Sequence, residues 1–259
     1  MSEKRMSTLI TSSSSSSMSV FWENVRTILY ALALAMVLRF TIAQPFRIPS
    51  GSMEPTLAVG DYIVVTKWSL GYGRFSFAPL EWLLPHGRLF GRGPERGEVV
   101  VFRPPPKPES DYIKRVIGLP GDRIQMIDGV LHINGAPVRR EALGEVEFEN
   151  QDGYVEHIPA FRETLPNGVS YVTFDREENG PLDQTRVFVV PEGHYFMMGD
   201  NRDNSADSRV PAVVGFVPYD NLVGPAQFVV TSFDHTTSIF RPWTLFTGFR
   251  AERFLKPVE

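Results

Sequence analysis

The stretch PSGSMEPTL at 49–57 sets Ser52 between Gly51 and Met53, with a second serine, Ser50, two positions earlier. A serine hydroxyl is a weak nucleophile until a neighbouring base takes its proton. No histidine lies within thirty residues of Ser52 on either side, so a base must come from elsewhere in the chain. YIKR at 112–115 offers one in Lys114, and GDNRDNSADSR at 199–209 adds Ser205 among side chains that hydrogen-bond their own backbone. Each block also has a plain structural meaning: Lys114 as an edge-strand lysine that opposes aggregation, the later block as a turn network.

Other chemistries fit these residues poorly. Met53 and Glu54 follow Ser52, so there is no GxSxG elbow, and Pro55 stands where an SxxK pattern needs lysine. His194 sits inside the strand-like run EGHYFMMGD, while His86, His132, His157 and His235 are scattered without metal-ligand spacing. Asp203, Ser205 and Asp207 follow the start of a calcium loop, but Ser208 stands where its glycine belongs and Val214 where its glutamate belongs.

A lysine base must be neutral near physiological pH, although lysine normally titrates at about 10.4. Burial lowers that value, because desolvation disfavours the charged form. Alternation along YIKRVIG puts Tyr112, Lys114 and Val116 on one face and Ile113, Arg115 and Ile117 on the other. Lys114 then faces apolar company, away from Arg115. Lowering its pKa by ~2 units costs roughly 2.7 kcal/mol, which a folded domain can supply.

The elements that would position these groups follow from composition. A chain of 259 residues, 42% hydrophobic and 22% charged, is globular and long enough for one large or two modest domains. A net charge of −4 without any Lys/Arg-rich run argues against a nucleic-acid partner. The absence of cysteine excludes disulfides and thiolate metal sites but fixes no compartment. Residues 139–186 hold eleven Asp/Glu against five Lys/Arg, a net of −6 that leaves the remainder at +2. This acidic block reads as a solvated insertion outside the apolar core.

Residues 1–19 carry a serine run from Ser12 to Ser17 and read as a disordered tail. Residues 20–43 read as a transmembrane anchor built on VRTILYALALAMVLRFTIA at 25–43. Its uncharged core, Thr27 to Leu38, is 12 residues long. That is short of the roughly 20 needed to span a bilayer, but Arg39 can snorkel and extend the apolar length to Ala43. A cleaved signal peptide is the competing reading, and Pro45 hinders cleavage there. Ser52 follows Ala43 by nine residues. At about 3.3 Å per residue it stays within roughly 30 Å of the segment's end. Flanking charges are too balanced to orient the span; a cytoplasmic N-terminus, with most of the chain outside, is the expectation adopted.

From Asp61 onward the pattern is β: DYIVVTKW, GEVVVFRP, DYIKRVIG, DRIQMIDG, VLHING and HYFMMGD are short runs bounded by turn residues. Asp128-Gly129 between apolar flanks is a hairpin signal, and no long helical periodicity follows Ala43. The fold class expected is mainly β. It comprises an antiparallel, partly closed β-barrel-like catalytic domain (44–138 and 187–259), one N-terminal transmembrane helix, and a small β-rich insertion at 139–186. FSFAPLEWLL at 75–84 reads as a loop packed on the core or a lip that dips into a bilayer interface.

Taken together, PSGSMEPTLAVGD at 49–61, RGEVVVF at 96–102, DYIKRVIGLPGD at 111–122 and GDNRDNSADSR at 199–209 resemble, in order, the type I signal peptidases of Gram-negative bacteria. The resemblance implies that Ser52 is the nucleophile and Lys114 its general base, with Ser50 completing the oxyanion hole beside the Ser52 N–H. It implies that Ser205 orients the Lys114 amine and that Asp200, Asp207, Arg115 and Arg209 form a supporting ion-pair shell. No cofactor and no metal is implied. The implied substrates are exported preproteins with small residues at −1 and −3, cut by a single-pass enzyme at the outer, periplasmic face of the cytoplasmic membrane. Membrane lipid is then a partner, and a monomer is expected. A LexA-type self-cleaving repressor shares the Ser/Lys logic, but residues 1–27 are too short for a DNA-binding module. A peptidase dedicated to one pilus or conjugation substrate stays open. A tethered β-domain that binds without catalysis would hold Ser52 more than about 4 Å from Lys114, beyond hydrogen-bond reach.

Overall fold

A computed structural model describes residues 14–77, 87–150, 153–238, 240–241 and 243–258. The chain divides into two units, Met1–Thr41 and Ile42–Glu259. The first contains α1 (Ser14–Thr41), whose 28 residues run about 42 Å at 1.5 Å each. Its window Met18–Val37 has a mean hydropathy of 1.3 and suffices, by length and composition, to cross a membrane. The helix starts six residues before the expected anchor, because adding a residue to an existing helix is far easier than nucleating one. The rest of the expected tail lies outside the described residues. The apolar window does not reach Ala43, which belongs to a strand whose Pro45 could not sit inside a helix.

The second unit is a β-structure. β1 (Ala43–Arg47) and β2 (Asp61–Thr66) flank the Ser52 loop and pair antiparallel, Ala43 against Thr66 and Arg47 against Tyr62. β1 precedes the expected start of the β pattern at Asp61. Pro45 hides it in the sequence, and an edge strand tolerates the missing N–H. β3 (Val99–Phe102) is buried at every residue, as a strand covered on both faces must be. It pairs with β4 (Tyr112–Gly118), setting Val100 opposite Lys114. β5 (Arg123–Ile127) and β6 (Val130–Ile133) turn at Asp128-Gly129, where both φ angles are positive (49° and 71°) as this two-residue hairpin requires. β7 (Ala136–Pro137) continues that sheet.

The acidic block forms a three-stranded antiparallel sheet of β8 (Arg139–Glu149), β9 (Val155–Thr164) and β10 (Ser170–Phe174). β11 (Phe188–Val189) pairs with β5. The main sheet is completed by β12 (His194–Met198), β13 (Val217–Pro218), β14 (Leu222–Ser232) and β15 (Lys256–Pro257). Its order is β1-β2-β14-β3-β4-β12-β13, with β15 on β14. Among the described residues β1 and β13 are open edges, and register shifts along β14 and β12 curl the sheet without closing it. The architecture is thus mainly β, antiparallel and partly closed.

Apolar clusters cover both faces of this sheet. Ile63, Val65, Val99 and Val101 pack with Met53 and Leu57 on one side, and Val100, Phe102, Val116 and Met197 on the other. The insertion does not stay outside the core. Ile158, Ala160 and Phe174 form a small cluster of their own, while Leu165 and Tyr171 join Ile117, Ile124 and Phe196. Along β8 alternation reconciles the two observations: Glu145, Glu147 and Glu149 are exposed, while Val146 and Phe148 between them pack on the Phe174 cluster; on β9 Glu163 is itself buried. In FSFAPLEWLL, Phe75 is buried against the Met53 cluster, whereas 78–84, including Trp82, lie outside the described residues.

Candidate active site

The 49–57 loop leaves β1 and closes into a 3-10 turn, Gly51–Met53, preceded by Ser50 in extended conformation. Met53 is fully buried and anchors the turn from within. The turn presents Ser52 toward β4, where Lys114 Nζ lies 2.6 Å from Ser52 Oγ. Lys114 also donates to the Ile113 carbonyl at 3.0 Å, and its Nζ sits 5.9 Å from the centre of the Tyr112 ring. Lys114 is not a solvated lysine that opposes aggregation, since it is 3% exposed and its amine is turned inward to Ser52. Burial brings its pKa down from the usual 10.5 to about 8, Arg209 adding to the effect and the Asp207 and Asp200 carboxylates opposing it.

Behind Lys114 the 199–209 loop forms two ion pairs. Asp200 takes Arg115 bidentately, Oδ1 accepting from Nε at 2.9 Å and Oδ2 from Nη2 at 2.8 Å. Thr56, on the nucleophile's own loop, donates to the same carboxylate at 2.5 Å. Asp207 accepts from Arg209 Nε and Nη2, both at 2.9 Å, and from the Gly199 N–H at 3.0 Å. Burial alone would raise the Asp207 pKa, but Arg209 and these donors outweigh it and hold the carboxyl below its usual range. Asp200, Asp207, Arg115 and Arg209 thus form two buried ion pairs.

Two expected placements come out differently or less specifically. Ser205 Oγ donates to Asp207 Oδ2 at 2.8 Å, and no hydrogen bond joins it to Lys114 among the described residues. An ionised carboxylate two residues away is the stronger acceptor. Ser50 is exposed at the entrance to the turn, and its hydroxyl makes no capping bond.

Several residues close the site that were not singled out in the sequence. Asn201 Nδ2 donates to the Gly51 carbonyl at 3.0 Å and to Glu54 Oε2 at 3.2 Å, and the Asn201 N–H donates to the Ser52 carbonyl at 3.2 Å. Burial lifts the Glu54 pKa from 4.5 to about 7. Glu163 and Tyr171 of the insertion reach the same network: Glu163 Oε2 accepts from Arg202 Nη2 at 2.6 Å and from the Tyr171 hydroxyl at 2.9 Å. Arg253 fastens the far side of the nucleophile loop, donating to Asp61 and, at 3.0 Å, to the Thr56 carbonyl. Asn201, Arg202 and Glu54 stood inside quoted motifs; Glu163, Tyr171 and Arg253 had no local signal, because each acts through a partner remote in sequence.

No calcium loop is built by Asp203, Ser205 and Asp207, which turn to different partners. The Asp203 carboxylate accepts from the backbone N–H groups of Arg176 and Glu177. It lies within 4.8 Å of the carboxylates of Asp175 and Asp183, the one acidic grouping of metal-binding dimensions among the described residues.

The arrangement is a buried serine in contact with a buried lysine of depressed pKa, braced by ion pairs. Similarity to known proteins agrees with it. The family model described as "Signal peptidase, peptidase S26" matches residues 21–231. A signal peptidase I of Rickettsia typhi is 42% identical over 83% of this chain and 86% of its own length, and one of Rickettsia akari is 44% identical over 77% and 76%. A solved signal peptidase I from Enterococcus faecalis V583 is 28% identical and covers 52% of this chain and 97% of its own, with a TM-score of 0.29. The chain belongs to the signal peptidase family, peptidase S26.

Proposed function

We propose that this protein is a signal peptidase I, a serine endopeptidase that removes signal peptides from exported preproteins by a Ser52–Lys114 dyad. The 2.6 Å contact between Ser52 Oγ and Lys114 Nζ carries the reading. With its pKa near 8, a substantial fraction of Lys114 is neutral around physiological pH and able to accept a proton. Ser52 Oγ bonds to the scissile carbonyl carbon while its proton passes to Lys114 Nζ. The Ser52 N–H and the Ser50 hydroxyl stabilise the oxyanion. Lys114 then returns the proton to the leaving amine, and a water it deprotonates hydrolyses the acyl-enzyme.

An unpaired stretch of strand supports peptide binding beside this dyad. β12 pairs with β4 only from Arg115 onward, so Tyr112–Lys114 have β3 on one side and, among the described residues, no strand on the other. An extended segment can add there through main-chain hydrogen bonds. The family resemblance favours small residues at −1 and −3 of that segment. α1 holds the enzyme in the cytoplasmic membrane with its N-terminus inside, as a monomer with lipid around its anchor, and the catalytic unit works on the outer face. Tethering raises the effective concentration of a substrate whose apolar stretch occupies the same bilayer. The non-catalytic reading needed a Ser52–Lys114 separation above about 4 Å, so the observed contact favours catalysis. Cleavage of a preprotein by purified enzyme tests the proposal: Ser52→Ala and Lys114→Ala should each abolish it, and full activity in either variant would overturn it.

A further inference from the structure

Asn201 grips both peptide groups that flank Ser52. Its side-chain Nδ2 holds the Gly51 carbonyl at 3.0 Å, and its backbone N–H holds the Ser52 carbonyl at 3.2 Å. The first contact matters most, because the Gly51 carbonyl and the Ser52 N–H belong to one planar peptide. In a trans peptide these two groups point in opposite directions. Fixing the carbonyl from behind therefore aims the N–H forward, toward the position of the developing oxyanion. Donation to the carbonyl also polarises the amide and strengthens its N–H as a donor.

The orientation of the Asn201 amide follows from its neighbours. Nδ2 faces two acceptors, the Gly51 carbonyl and Glu54 Oε2, and a flipped amide would set its oxygen against both. Glu54 is 5% exposed and comes from the same loop, two residues beyond the nucleophile. A Cβ at Gly51 would lie 2.5 Å from the Glu54 carboxylate, so the carboxylate is packed directly against the peptide that Asn201 holds.

We infer that Asn201 is a positioning residue that aims the Ser52 N–H at the oxyanion, and that Glu54 locks the Asn201 amide for that purpose. The inference rests on Ser52 being the nucleophile. Asn201 touches neither substrate nor reacting atoms, so its removal misaligns a donor without deleting it. Loss of a whole oxyanion donor costs about 100- to 1,000-fold in kcat, and misalignment should cost about 10- to 100-fold.

The test uses full-length enzyme in detergent micelles, a preprotein-derived peptide, and a peptide aldehyde whose adduct with Ser52 places an oxygen in the hole. In Asn201→Ala, kcat should fall about 10- to 100-fold with KM within about twofold, and aldehyde affinity should fall by the same factor as kcat. Glu54→Leu should show the same pattern at smaller amplitude, while Glu54→Gln, which keeps an acceptor for Nδ2, should stay within about threefold of the parent. Wild-type kcat in Asn201→Ala, or a fall in kcat without loss of aldehyde affinity, overturns the inference. Should Asn201→Ala not fold, Glu54→Leu decides by the same two readouts. Ser52→Ala in the same preparation separates the two claims. If it retains activity, the nucleophile is wrong; if it is inert while Asn201→Ala behaves as wild type, only the positioning role fails.

Discussion

Tyr171 of the acidic insertion lies against Arg115 of the catalytic strand, its ring centre 4.0 Å from the guanidinium carbon. The Tyr171 hydroxyl donates to Glu163, Glu163 pairs with Arg202, and Arg115 pairs with Asp200, all fully or nearly fully buried. At the end of β10, the Phe174 N–H donates to the Asp200 carbonyl and the Phe174 carbonyl accepts from the Arg202 N–H. The insertion is therefore one wall of the ion-pair shell behind Lys114. Glu163→Ala, which leaves Arg202 buried and unpaired, should destabilise the fold by about 3–5 kcal/mol, and Tyr171→Phe, which keeps the ring, by about 1 kcal/mol. Denaturant titration of both variants measures this; equal small effects would return the insertion to a decorative role.

Lys114 titration should govern the pH dependence of catalysis. Its folded pKa, about 8, lies below the usual 10.5, so the base becomes competent as pH rises. On a preprotein substrate, kcat/KM should climb through about pH 8 to a plateau. A profile flat down to about pH 4 contradicts a lysine base.

The same shift has a consequence for stability. A lysine with a lowered folded pKa binds fewer protons in the native state, so stability increases with pH between about 8 and 10.5 and is reduced below that window. Lys114→Met should thus be inactive yet more stable at pH 7, by about 1–3 kcal/mol. Thermal unfolding of the inactive variant at pH 7 checks the sign, and a lower Tm than the parent would contradict it.

Glu54 works in the opposite sense. Burial raises its pKa from 4.5 to about 7 against the pull of Arg176, Asn201 and Arg250, with Glu156 adding to the rise. A raised carboxyl pKa contributes stability that is fully present below 4.5 and is lost as pH rises through about 7. This window is worth about 3 kcal/mol in the parent. Glu54→Gln should flatten it, which denaturant titrations at several pH values would reveal.

Gly199 sits where the nucleophile loop and Ser205 converge. A Cβ there would lie 2.2 Å from Ser205 Oγ and 2.5 Å from the Ser52 carbonyl oxygen, and the second neighbour is backbone that cannot swing aside. Gly199→Ala should cost about 1–3 kcal/mol in stability and reduce kcat at least tenfold, an estimate on the order of what about 1 Å of misplacement does to a reacting group. Near-parental turnover would show that the loop relaxes freely.

The order of the motifs, the hairpin at Asp128-Gly129, the buried run VVVF and the apolar anchor were legible because each is a local pattern: a spacing, a turn residue pair, a periodicity. Alternation in YIKRVIG also correctly put Lys114 with Tyr112 and Val116. By itself, the sequence determined membership of the signal peptidase family and the order of the segments from which the proposed dyad is drawn. It could not tell that β4 is covered on both faces, because alternation assigns a side chain to a face without saying what packs there. The tertiary structure alone decided the 2.6 Å meeting of Ser52 with a lysine 62 residues away, and the pKa that burial confers on it. It turned Ser205 toward Asp207, made Glu163 and Tyr171 part of the shell, and put Asn201 behind the Gly51 peptide. Those roles depend on desolvation and on hydrogen bonds between remote segments, which exist only once the curled sheet has brought those segments together.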